Sequence, residues 1–128
     1  MWMPHGAQAA RCDLFDKLRD FDGIDRPAPK EAICTRYVGL NGQTATACHW
    51  VHPFRAETAQ VQADDIWRDI AICVPGSQQA PDTGVNHPDS QAQRNWGSDA
   101  GTFSVSIKDK GALQSTLVFL RFEPSHPR

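Results

Sequence analysis

With 128 residues, of which 40% are hydrophobic and 22% charged, the chain has the size and composition of one globular domain, and it contains no apolar run of the roughly 18 residues that a membrane-spanning helix needs. Lys plus Arg number 13 against 15 Asp plus Glu, a formal charge of -2 with both signs mixed through both halves. No basic block or stripe supplies the electrostatic warrant for a nucleic-acid partner.

The opening MWMPHGAQAA lacks a basic region followed by an apolar core, so it does not read as a signal peptide. From Ala7 to Leu18 apolar residues recur at helical intervals through Ala7, Ala10, Leu14, Phe15 and Leu18, with Phe21 following. Gly23 and the RPAP run at 26–29 end this helix. Asp20, Asp22 and Asp25 around Gly23 suggest a calcium loop. Aligned on that glycine, however, the first ligand position falls on Leu18 and the last on Pro29, and neither can serve. A solvated acidic helix end is the simpler reading.

Residues 31–50 change to a hairpin. AICTRYV and TATACHW are rich in β-branched and aromatic residues, and Asn41-Gly42 between them is the strongest short-range turn signal in the chain. A three-residue turn with a bulge sets Cys34 opposite Cys48, whereas a two-residue loop misaligns them by one. A second helix begins between Phe54 and Thr58 and ends near Val74 at Pro75-Gly76, its apolar face formed by Ala59, Ala63, Ile66, Trp67, Ile70 and Cys73 or Val74. A bond from Cys12 to Cys73 would staple the two helices and leave Cys34 and Cys48 for the hairpin. None of the four cysteines belongs to a CxxC pair, which disfavours a thioredoxin-like or zinc-finger role. Their even number fits an exported protein, periplasmic or secreted, with two disulfides.

Residues 75–101 show no periodic element and read as a long irregular loop of the kind that often carries binding. His87-Pro88 can open a single helical turn through Ala92, and Trp96 is the residue best able to pin the excursion to the body. The following stretch, 102–122, is a second hairpin. Phe103, Val105 and Ile107 alternate with Ser104, Ser106 and Lys108, and Leu117 to Phe122 is apolar on both faces apart from Arg121. The expected architecture is one α+β domain spanning 1–128 in the order helix-hairpin-helix-hairpin. Its two helices pack on one face of an antiparallel sheet, and Thr35, Tyr37, Ser104 and Ser106 lie on the opposite, exposed face.

Several chemical constellations are weighed and set aside. His49 and His52 beside Cys48 are zinc-ligand types, but their spacing of three suits a helix face, not a strand end. Asp82, His87, Asp89, Ser90, Ser98 and Asp99 contain the residue types of a hydrolytic triad without a G-x-S-x-G elbow or a rigid scaffold. Asp64 and Asp65 diverge by about 100 degrees on a helix and do not make a catalytic pair. No phosphate-loop pattern is present. The sequence therefore assigns no catalytic residue, no metal and no cofactor.

Interfaces favour Tyr, Trp and Arg, and this selects Arg36, Tyr37, His87, Arg94, Asn95 and Trp96 as candidate binding residues. The leading expectation is an exported protein-binding module, of the inhibitor or immunity type, that meets another protein through the 75–101 loop and the adjacent sheet. A small hydrolase or metal-dependent protein built on His49, His52 or His87 is one alternative, and a structural subunit or homodimer is another.

Overall fold

A computed structural model describes residues 5–25, 28–39, 42–79 and 90–125. Helix α1 (His5–Asp20) leads to strands β1 (Ile33–Val38) and β2 (Thr44–Pro53), then helix α2 (Glu57–Cys73), then strands β3 (Ser77–Gln79), β4 (Ser90–Gly97), β5 (Gly101–Lys110) and β6 (Ser115–Pro124). The class is α+β, as expected. The order is not helix-hairpin-helix-hairpin, because among the described residues four strands follow α2 and six strands form one antiparallel sheet in the order β1-β2-β6-β5-β4-β3.

The topology follows from two connections. Helix α2 carries the chain from β2 to the far edge, and the strands then return as a meander from β3 to β6, which docks beside β2. The two-sided apolar strand β6 thus reaches the interior of the sheet. Within the 75–101 stretch, expected as an irregular loop, residues 77–79 form β3 and 90–97 form β4, while 80–89 lie outside the described residues. SQAQRNWG has little intrinsic strand preference, but β5 provides a ladder along its length from Ser90↔Lys108 to Gly97↔Thr102, with a register shift between Ser90 and Ala92. Tertiary pairing overrides weak local propensity here.

The first hairpin turns as the three-residue reading requires. Gly42 takes φ +80, where only glycine is unstrained, and its N–H donates to the Gly39 carbonyl at 3.0 Å while the Gly39 N–H donates to Gln43 O at 2.8 Å. This puts Cys34 opposite Cys48. The structure forms both disulfides, Cys34–Cys48 and Cys12–Cys73, and no cysteine among the described residues is left free. Such bonds are the mark of a protein folded in an oxidising environment. Among the described residues no helix is long and apolar enough to cross a membrane.

Both helices cover the same face of the sheet. Phe15 and Leu18 of α1 and Ala59, Ala63, Ile66 and Ile70 of α2 bury against Cys48 and Trp50 of β2, Phe103, Val105 and Ile107 of β5, and Val118, Leu120 and Phe122 of β6. Phe103 is fully buried at the centre, edge-on to Phe15 with ring centroids 5.8 Å apart and tilted on Phe122 at 4.8 Å. The acidic end of α1 forms a turn: Asp22 Oδ1 accepts the N–H groups of Ile24 and Asp25 at 2.8 and 2.9 Å.

Candidate recognition surface

Strand alternation sends every second side chain to the face that, among the described residues, no helix covers. Cross-strand register orders that face into rows. Ile33, His49, Phe119, Ser106 and Gln93 form one row across β1, β2, β6, β5 and β4. Val51, Leu117 and Lys108 form the next. Ile33 and Val51 are more than half exposed, an unusual cost for large aliphatic side chains on a regular sheet.

The face divides into two parts. In the two rows through His49 and Val51, β1, β2 and β6 present an apolar patch, with Ile33, Val51, Leu117 and Phe119 around His49, whose ring lies 5.3 Å from that of Phe119. Thr35, Tyr37, Arg121 and Glu123 make the other end of the same strands polar. Toward β4 and β5 it is polar: Asn95 Oδ1 accepts from Ser104 Oγ at 2.8 Å and from Gln93 Nε2 at 3.4 Å, and Asn95 and Ser106 are buried. Lys108 Nζ stands 5.0 Å over the Phe119 ring, a cation–π contact at the border between the two parts.

The charges are sorted as well. Among the described residues, Lys108, Lys110 and Arg121 project to this face against the single carboxylate of Glu123. The helical layer is acidic by comparison, with Glu57, Asp64, Asp65 and Asp69 against Arg68 on α2. Tyr37 donates from its hydroxyl to Glu123 Oε1 at 3.1 Å. It reaches across β2 because the residue paired with it there is Ala45, small and fully buried. Burial, with help from the Glu123 charge and against the pull of Arg121, raises the Tyr37 hydroxyl to about 12, so it stays a donor at any physiological pH.

Burial lowers the pKa of His49 below its ordinary 6.5, which keeps the imidazole neutral in the apolar half of the face. On acidification the unfolded chain takes up the proton first, so this residue contributes stability above the unfolded pKa that is lost as pH falls through the folded one. Urea unfolding between neutral pH and about pH 5 should therefore show a steeper loss of stability for the native chain than for His49→Phe. Parallel profiles would contradict the assignment.

The sequence-selected binding residues do not form one site. Tyr37 and Asn95 are on the uncovered face, four strand spacings or about 19 Å apart. Arg36, Arg94 and Trp96 belong to the opposite face by the same alternation. Trp96 is a packing residue: its Nε1 donates to Val74 O at 3.1 Å and its ring meets Trp67 edge-on at 5.9 Å. Arg94 lies over the Trp67 ring and 3.4 Å from Asp64. His87 lies outside the described residues, as do Asp82 and Asp89.

The histidine constellation is also divided by the sheet. His49 faces the uncovered side, while His52, three positions on, turns to the other side and contacts Thr58 Oγ1 at 2.9 Å and Gln62 Oε1 at 2.6 Å. Asp65 pairs with Arg68 on the solvent side of α2. Among the described residues, no cluster of three His, Cys, Asp or Glu side chains is arranged to hold a metal. Ser98 serves its turn, donating from Oγ to Gly101 O at 2.8 Å.

A cleft of about 190 Å³ beside the start of α2, lined by Arg55, Ala59, Gln60, Asp109 and Thr116, is internally satisfied. Thr116 Oγ1 donates to Asp109 Oδ1 at 2.7 Å and accepts the Arg55 N–H at 2.7 Å, and Arg55 Nε stands 3.4 Å from Asp109 Oδ2. This network holds Arg55 at φ +58, a left-handed conformation, and gives the cleft a structural explanation.

The sequence does carry a signal for the apolar half of the surface: Leu117 and Phe119 make β6 apolar on its second face, which reads as a strand covered on both sides. No protein-family model, curated protein or solved structure matches the chain.

Proposed function

We propose that the chain is an exported protein-binding module, periplasmic or secreted, whose partner sits on the uncovered face of the sheet. The observation that carries the reading is the combination of exposed Ile33 and Val51 with Leu117 and Phe119 on a regular sheet face whose charged rim is basic. An apolar centre with a polar, one-signed rim is the anatomy of a recognition patch, with the apolar residues supplying affinity and the rim orientation and encounter rate. The complementary partner is a protein surface with an apolar centre and an acidic rim. A face-to-face second copy fits less well, because it sets one basic rim against another. The recognition set accordingly moves from the 75–101 stretch to Ile33, His49, Val51, Lys108, Leu117, Phe119 and Arg121.

Immobilised native protein and the double variant Val51→Glu/Lys108→Glu are to be exposed to the secreted and envelope fractions of the producing organism, with Asp65→Ala/Arg68→Ala as a helix-side control. The same partner should be retained by the native chain and the control, and lost about tenfold or more by the double variant, with retention weakening as salt rises. Equal retention by all three proteins would defeat the reading. A concentration-dependent dimer in sedimentation, abolished by the double variant, would replace it with self-association.

A further inference from the structure

Strand β1 ends the sheet, and the hairpin geometry fixes which of its backbone groups are spoken for. The Gly39 N–H to Gln43 O bond makes that pair hydrogen-bonded, so by alternation Tyr37, Thr35 and Ile33 direct their N–H and C=O groups to β2. Cys34, Arg36 and Val38 direct theirs outward. Among the described residues no strand pairs with this outer edge.

Apart from the charge of Arg36, the edge lacks the usual protection. Natural edge strands are blunted by proline, bulges, charged side chains or shortness. β1 has six residues without proline or glycine and pairs with β2 in unbroken register. The strand at the opposite edge, β3, has only three. Ile33 belongs both to this edge and to the row that runs through His49 and Phe119, so the edge is continuous with the apolar half of the uncovered face. On the other side of the strand Arg36 is exposed, and among the described residues no ion pair is formed with it.

We infer that the outer edge of β1 receives an extended segment of the partner by strand addition, with a carboxylate of that segment set against Arg36 and an apolar side chain set beside Ile33. The inference rests on the protein-binding reading and names the mode of contact. Main-chain bonds to Cys34, Arg36 and Val38 give affinity, and alternate side chains give selectivity. The charge disfavours the simplest homotypic solution. A two-fold axis at Arg36 would use all the outward groups of the three residues, but it would place that guanidinium against its own copy.

The probe is a short capped peptide of alternating valine and threonine with glutamate at the central threonine position, labelled with a fluorophore, and its lysine counterpart. The glutamate peptide should bind about tenfold more tightly than the lysine peptide, and Arg36→Glu should reverse that order. Binding should protect the amide hydrogens of Arg36 and Val38 from exchange. Val38→Pro removes an outward donor while sparing the ladder to β2, so it should abolish binding without loss of fold. Failure of the glutamate peptide to bind, binding without protection at β1, or a dimer formed through this edge would each overturn the inference. If the peptide fails while Val51→Glu/Lys108→Glu still abolishes partner retention, the edge assignment falls and the uncovered-face reading stands. If retention is also unaffected, the failure belongs to that reading.

Discussion

Replacing Cys12 and Cys73 together with alanine should lower the unfolding free energy by about 4 kcal/mol, the loop-entropy value for a cross-link of this span. The bond joins residues 61 apart and connects α1 to the last turn of α2, whereas Cys34–Cys48 spans 14 and lies within a hairpin already held by its ladder. Among the side chains described on α1, Phe15 and Leu18 are the ones fully buried, so the helix has a small apolar anchor of its own. The ion pair of Arg11 with Asp69, at 3.3 Å, accompanies the bond on the same helix–helix contact. Burial raises the Asp69 carboxyl while Arg11 and Arg68 pull it down, so the pair does not replace the covalent link. Non-reducing urea denaturation checks this. A loss below about 1 kcal/mol would mean that the unfolded chain already keeps the two helices together.

Phe103→Ala should cost about 4 kcal/mol, within the range for truncating a fully buried aromatic ring. The ring sits where α1, β5 and β6 meet, so its removal withdraws the contact surface of Phe15 and Phe122 at once. Relaxation is limited because both neighbours are anchored on regular elements. Thermal or denaturant unfolding of Phe103→Ala beside Leu113→Ala gives a matched comparison, since Leu113 is 71% exposed at the hairpin tip and should change stability little. Similar losses for the two variants would contradict the central placement of Phe103.

The parts of the fold legible in sequence are those where local pattern and tertiary packing agree. Helical periodicity located α1 and α2, and alternation located β5. The Asn41-Gly42 pair marked the turn, and the choice it left open between two and three loop residues is decided by the Gly39–Gln43 closure, which brings Cys34 to Cys48. Strands β3 and β4 were illegible because their residues carry a polar pattern: β4 owes its conformation to the ladder with β5, and β3 in turn to β4.

The candidate site was harder to read for a related reason. Trp96 and Arg94 have interface-like identities, but the sheet turns them toward α2, where Trp67, Val74 and Asp64 take up their rings and donors. Which face a strand residue occupies depends on register with partners far along the chain. The sorting of Lys108, Lys110 and Arg121 to one side was invisible in an evenly mixed sequence. The two-sided apolarity of β6 was visible, but not that one side would lack a covering layer among the described residues.

Site-specific photo-crosslinking in the producing organism tests the central claim most directly, with a benzophenone side chain introduced in place of Val51 on the uncovered face or in place of Ile72 on the outer side of α2. Both positions are exposed and aliphatic, so they differ in face and not in accessibility. The Val51 probe should give a discrete adduct with one protein and the Ile72 probe should give none. An adduct from Ile72 with none from Val51 would place recognition on the helical layer and contradict the assignment of the sheet face.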